Sequence, residues 1–213
     1  VVNQLKIKGF DFEGFNCVFS SNIPTGSGLS SSAALECGFL FGINELFNLN
    51  IKSVDIALMG QSAEHWVGIN CGIMDQFSSV MGLENKVIKI DCKTLEYEYH
   101  TADFNDYSLI LFDSNVKHSL MTSAYNERRE QCEEGIAIIK NNFPEITSFR
   151  DCKEEHVLGL QNVMSANVFK RCLFVVKEIN RVKLACEALD NGEIEVLGKL
   201  MFETHEGLSK DYE

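Results

Sequence analysis

The spacing of apolar residues changes character along the chain. Phe10 to Phe19 is short, aromatic and partly alternating, which predicts a strand. Ala33 to Phe47 is apolar almost all round the helical circle, the pattern of a buried helix, with Ser30, Ser31 or Ser32 as its cap. Val54 to about Val67 repeats the helical period, with Ser53 as cap and Gly68 as stop. Ile73 to Met81 predicts a short helix closed by Gly82. Lys86–Asp91 and Leu95–His100 predict two strands around Cys92-Lys-Thr, and Tyr107–Phe112 (YSLILF) an apolar strand. From Ser123 onward the helical period dominates: Ser123–Lys140, Glu154–Leu160, Ala166–Leu189 and Glu193–Leu208, the last two separated by Asn191-Gly192. Mixed strands and helices followed by helices predict an α+β fold, dividing near residues 100–106 into domains 1–102 and 103–213.

Composition narrows the classes. An apolar fraction of 45% and a charged fraction of 23% over 213 residues describe an ordinary globular chain. The net charge of −12 argues against a nucleic-acid binder or a polybasic membrane anchor, while leaving room for a local anion site. No apolar run is long enough to span a bilayer, and no signal peptide is visible, so the expected location is cytoplasmic. The eight cysteines form no C-x-x-C pair and several lie in apolar runs, which predicts buried free thiols.

The candidate chemistry begins at Pro24-Thr-Gly-Ser-Gly-Leu-Ser-Ser-Ser-Ala-Ala-Leu35. Gly26 and Gly28 permit backbone angles closed to other residues. The helix that follows aims free N–H groups and its positive dipole end at the loop, so the two together make an anion site. Ser hydroxyls add donors to phosphate oxygens or ligands to magnesium. A Walker loop would add a lysine, and none is here. A divalent cation does the same work if a carboxylate holds it, and Glu64, near the end of the second helix, is the nominee, with Asp75 nearby in sequence. Taken as an isolated pair, a surface glutamate and a helix N-terminal acid favoured by the dipole are the better explanation.

Three segments resemble the galactokinases of the GHMP small-molecule kinases. They are Ile23 to Ala33, Ala63-Glu-His-Trp-Val-Gly-Ile-Asn-Cys-Gly-Ile-Met-Asp-Gln-Phe77, and Asp113–Leu120 with Ser123–Glu133. Leu208-Ser-Lys-Asp-Tyr-Glu213 is also similar to that family's sequence. The second segment is the most specific, because kinases for mevalonate or homoserine share the loop without G-I-M-D-Q-F. The resemblance implies a two-domain fold, a ribosomal-S5-like β-α-β domain followed by a helix-rich α+β domain. It implies that Gly26, Ser27, Gly28, Leu29, Ser30, Ser31 and Ser32 wrap the ATP phosphates. Ser32 and Glu64 would ligate Mg2+, Gly72 and Tyr125 would lie at the sugar, and Asp75 would face the anomeric hydroxyl, as proton acceptor or as an anion that aligns it. A helix N-terminus favours the carboxylate and so weakens it as a base, which keeps both roles open. The implied reaction is transfer of the ATP γ-phosphate to D-galactose, giving galactose 1-phosphate.

Two departures stand out. The family's first motif, rich in Arg, Gly, Glu, His and Asp, and its glycine-rich third motif are both absent. The 213 residues therefore read as the middle of a galactokinase, expected to lack strong catalysis in isolation and to leave sheet edges open. Two other readings remain: a galactose and ATP sensor without catalysis, and an N-acetylgalactosamine kinase. The intact Ser30-Ser-Ser-Ala-Ala34 favours an enzyme, and Ile73-Met74 before Asp75 favours plain galactose. The five histidines show no i, i+4 pair and predict no metal site. Arg128 and Arg129 lie among glutamates and predict ion pairing along a helix face.

Overall fold

The computed structural model describes residues 1–104, 106–112 and 123–212. Its elements are α1 (Val2–Ile7), α2 (Ser31–Leu46), α3 (Ser53–Trp66), α4 (Met74–Met81), β1 (Lys86–Ile90), β2 (Tyr97–Thr101), α5 (Ser123–Asn142), α6 (Glu154–Leu158), α7 (Ala166–Asp190) and α8 (Ile194–Gly207). A 3-10 turn, Phe149–Asp151, precedes α6, and a π-turn, Leu208–Tyr212, follows α8. Among the described residues there are two compact units, 1–99 with 109–112 and 100–108 with 123–212.

The first unit is built on α2 and α3. Leu5, Cys37, Leu40, Ile43, Ile51, Ile56 and Met59 form its main core, and Ala57, Ile73 and Phe77 a second cluster. On α2 the buried positions Ala33, Cys37, Leu40 and Asn44 recur at spacings of three and four, so one stripe faces α3. The α2–α3 turn is clasped by that buried asparagine: Asn44 Oδ1 accepts from Ile51 N at 2.8 Å. Asn48 and Asn50 take φ of 50° and 57°, a left-handed conformation that asparagine tolerates.

The second unit packs α5, α6 and α7 around Ile139, Ile146, Val157, Leu160, Met164, Val168, Cys172 and Val176. Ser165 caps α7, its side chain accepting from Val168 N at 3.4 Å. Gly207 on α8 meets the Phe174 ring, and Thr204 Oγ1 donates to Glu178 Oε2 at 2.9 Å, so α8 lies against α7.

The α+β class holds, and the predicted helices form close to their expected bounds. Some local expectations need correction. Phe10–Phe19 forms no strand; the segment crosses α2 and is held by rings, Phe15 on Phe39 and Phe47 at 5.9 and 5.6 Å between centroids. Tyr107–Phe112 forms none either, and Phe112 is 91% exposed. The alternation of 10–19 and the apolar run of 107–112 are present, but among the described residues no neighbouring strand completes a ladder with either, and a strand without partners has no hydrogen bonds to define it. Among the described residues the only sheet is the hairpin β1–β2. Ser53 is the first residue of α3, not its cap; Lys52 occupies that position with no side-chain bond. α1 escaped the sequence reading, since six residues are too few to establish a period. Asp113–Leu120, with Lys117 and His118, lies outside the described residues. Of the cysteines, Cys37, Cys172 and Cys186 are buried, whereas Cys17 and Cys92 are exposed.

Candidate phosphoryl-transfer site

The loop before α2 puts three alternate residues in the left-handed region: Gly26 at φ 74°, Gly28 at 77° and Ser30 at 54°. A Cβ added to Gly26 or Gly28 would meet nothing within 4 Å, so the backbone angle, not crowding, calls for glycine there. Ser27 Oγ donates to Pro24 O at 2.8 Å and closes the loop on itself. Ser30 occupies the N-cap of α2 but makes no side-chain cap bond, and the first turn holds no acid. The first N–H groups of α2, at Ser31 and Ser32, are therefore left without a protein cap at the mouth of the loop, and the dipole adds positive potential there. This suits an anion. An open groove of about 780 Å³ runs beside it, lined among others by Thr25, Ser31, Ser32, Gly38, Phe39 and Gly42. Leu29 is exposed at the loop tip.

The acids lie at the same end of the first unit. Glu64, in the last turn of α3, is buried, with 4% of its surface exposed. Asp75 is half-buried in the first turn of α4. Cys71, on the loop between these helices, reports on both. Its thiol is pushed up first by burial, then by Glu64, and to a smaller extent by Asp75, against a lowering contribution from Gln76. Both nominated carboxylates thus lie close enough to one side chain to be felt there.

That loop is held by α3 and α4. Gln61 Nε2 donates to Cys71 O at 3.2 Å, and His65 Nε2 meets the same carbonyl at 2.9 Å, so this ring nitrogen carries the proton. Gln76, buried in α4, donates to Cys71 Sγ at 3.8 Å. Gly72 is exposed and a Cβ there would meet nothing within 4 Å, which leaves its backbone open to a ligand.

The sequence reading missed Glu36. It lies on α2 one turn after Ser32, and burial, followed by the charge of Glu64, pushes its carboxyl up to about 7, with a smaller opposing pull from the Val1 amino group. Its Oε2 is buried without a hydrogen-bond partner. The available signal was the i, i+4 spacing from Ser32, which places both on one helix face.

Tyr125 belongs to the second unit. It lines a cavity of about 380 Å³ with Arg128, Arg129, Cys132, Leu208 and Tyr212. Arg129 Nε pairs with Glu133 at 2.9 Å, as the helix-face reading expected.

The donor set suits a hard divalent cation. Ser32 supplies a hydroxyl and Glu64 a carboxylate, the ligands magnesium takes beside phosphate oxygens. Among the described residues no three His, Cys, Asp or Glu side chains converge as a metal site, so such a cation would complete its shell with phosphate oxygens or water.

The sequence pattern of the GHMP kinases N terminal domain matches residues 1–83. Over 214 residues the chain is 39% identical to a galactokinase of Thermotoga maritima, covering all of this chain and 59% of that protein. It is 40% identical over 216 residues to a galactokinase of Clostridium beijerinckii, again over the whole chain and 55% of the relative. Among solved structures, Lactococcus lactis galactokinase complexed with galactose superimposes with a TM-score of 0.87 at 30% identity, over 99% of this chain and 55% of that one. The chain therefore spans somewhat more than half the length of the relatives it matches. Residues 1–83 thus carry the sequence pattern of the GHMP kinases N terminal domain, and the chain is similar to galactokinases along its whole length.

Proposed function

We propose that the chain carries the phosphate-, cation- and acceptor-handling residues of a galactokinase, within domains 1–102 and 103–213. The observation that supports this best is the convergence at one end of the first unit: a left-handed loop, the uncapped start of α2, buried Glu64, and Asp75 across the Cys71–Gly72 turn. Gly26 to Ser32 bind the ATP phosphates through backbone N–H groups and hydroxyls. Ser32 and Glu64 hold Mg2+, which when bound supplies the positive charge that a Walker lysine gives elsewhere. Gly72 presents its backbone to D-galactose, and Tyr125 packs near the sugar. Asp75 meets the anomeric hydroxyl and either accepts its proton or fixes its direction; phosphoryl transfer depends chiefly on such positioning and on charge stabilisation. Among the described residues no helix is long and apolar enough to cross a membrane, in keeping with a cytoplasmic place.

The test combines calorimetric binding of ATP, with and without Mg2+, and of galactose with a phosphoryl-transfer assay. Galactose, N-acetylgalactosamine, mevalonate and homoserine are offered in parallel. The expected result is ATP binding strengthened by Mg2+, with galactose preferred. Asp75→Asn is expected to keep ATP binding and to lower any galactose-dependent turnover by about 10²- to 10⁴-fold. A preference for N-acetylgalactosamine would change the substrate. No ATP binding under either condition would refute the proposal.

A further inference from the structure

α2 and α3 run antiparallel about the turn clasped by Asn44, and Cys37 faces Gly60. Carried one turn toward the phosphate loop, that register sets Ala33 and Glu36 against Ala63 and Glu64, with both alanines buried and the helices close. Helical side chains lean toward the N-terminus of their helix, so Glu36 leans toward Ser32, one turn earlier on the same face. Two carboxylates thus converge on the loop end of the pair. Neither is given a hydrogen bond or an ion pair by any described residue, and Glu36 Oε2 is wholly shielded from water. Carboxylates so placed are costly unless a proton or a cation joins them.

We propose that Glu36 is a further oxygen donor, beside Glu64 and Ser32, to the divalent cation held at this end of the α2–α3 pair. The inference rests on the assignment of Glu64 as a cation ligand and adds a residue to it. A second carboxylate suits magnesium or manganese, which take one or two carboxylates and complete their shell with phosphate oxygens and water. It also accounts for a glutamate in a largely buried stripe, where an apolar residue would pack without electrostatic cost.

The probe is Mn2+ alone, titrated into the full chain at about pH 8, where carboxyl groups are ordinarily ionised, with free Mn2+ read by electron paramagnetic resonance. Glu36→Gln and Glu64→Gln are each expected to weaken Mn2+ binding by at least about tenfold, and Glu36→Asp by less. Glu45→Gln, at an exposed carboxylate near the other end of α2, serves as the control and is expected to bind Mn2+ like the parent. Glu36→Gln relieves repulsion from Glu64, so it is expected to melt no lower than the parent, which separates lost binding from lost folding. Unchanged Mn2+ binding in Glu36→Gln, with binding lost in Glu64→Gln, would overturn this inference and leave the Glu64 assignment standing. Unchanged binding in both variants, or none in the parent, would overturn both.

Discussion

Gly60 lies where the three helices carrying the candidate site meet. A Cβ placed there would come within 2.9 Å of Cys37 Sγ on α2 and 3.2 Å of Gln76 Cγ on α4. Gly60→Ala therefore sets two effects against each other. Alanine in a helix interior gains about 1 kcal/mol over glycine. Forcing an extra carbon into a packed core costs about 1–3 kcal/mol. Cys37 cannot easily turn aside, since it is buried and its thiol points to Gln76 O at 3.8 Å. The sum is a net loss of about 0–2 kcal/mol. Cys37→Ala removes the sulfur and leaves only the Gln76 contact, which yields with a shift of a few tenths of an ångström. In that background Gly60→Ala should be close to neutral or stabilising. The double-mutant cycle is thus expected to show a favourable coupling of about 1–3 kcal/mol. Urea melts followed by circular dichroism measure the four stabilities, and hydrogen exchange over α2 and α3 assigns the change to the first unit. If Gly60→Ala stabilises the parent as much as it stabilises the Cys37→Ala background, the sulfur is not in the way and the register of α2 on α3 is wrong, together with the placement of Glu36 against Glu64.

Phe77 is 1% exposed and its ring meets Tyr97 at 5.2 Å, so Phe77→Ala should destabilise the first unit by about 3–5 kcal/mol, seen as a lower urea midpoint. Asp151 closes a capping box with Ser148, and hydrogen bonds from Thr147, chiefly its side chain, with others from Ser148, hold its carboxyl down to about 2 from an ordinary 3.8. A depressed carboxylate adds stability above its unfolded value that is lost as pH falls through the folded one. The turn at 147–152 should therefore loosen between about pH 4 and pH 2, and Asp151→Asn should abolish that pH dependence in hydrogen exchange of the turn.

Much of this protein follows from local order along the chain. The apolar run from Ala33 to Phe47 is enough to place α2, because a helix satisfies its own backbone, whereas the stripe of Ala33, Cys37, Leu40 and Asn44 that it turns inward was decided by packing. The loop was legible for a similar reason: glycines at 26 and 28 ahead of a helix start announce left-handed backbone and free N–H groups whatever surrounds them. Segment 10–19 carries partial alternation and 107–112 a continuous apolar run, yet neither forms a strand, since a ladder requires a neighbour that local sequence cannot supply. Glu36 shows the same limit from the other side. Its type and spacing are plain in the sequence, but its electrostatic setting depends on Glu64, twenty-eight residues away, brought near by the packing of α2 on α3. Helices and turns were therefore decided by neighbours in the chain, whereas the pairing of strands and the meeting of the two carboxylates were decided only by tertiary contact, through which distant groups alter each other's solvation and charge.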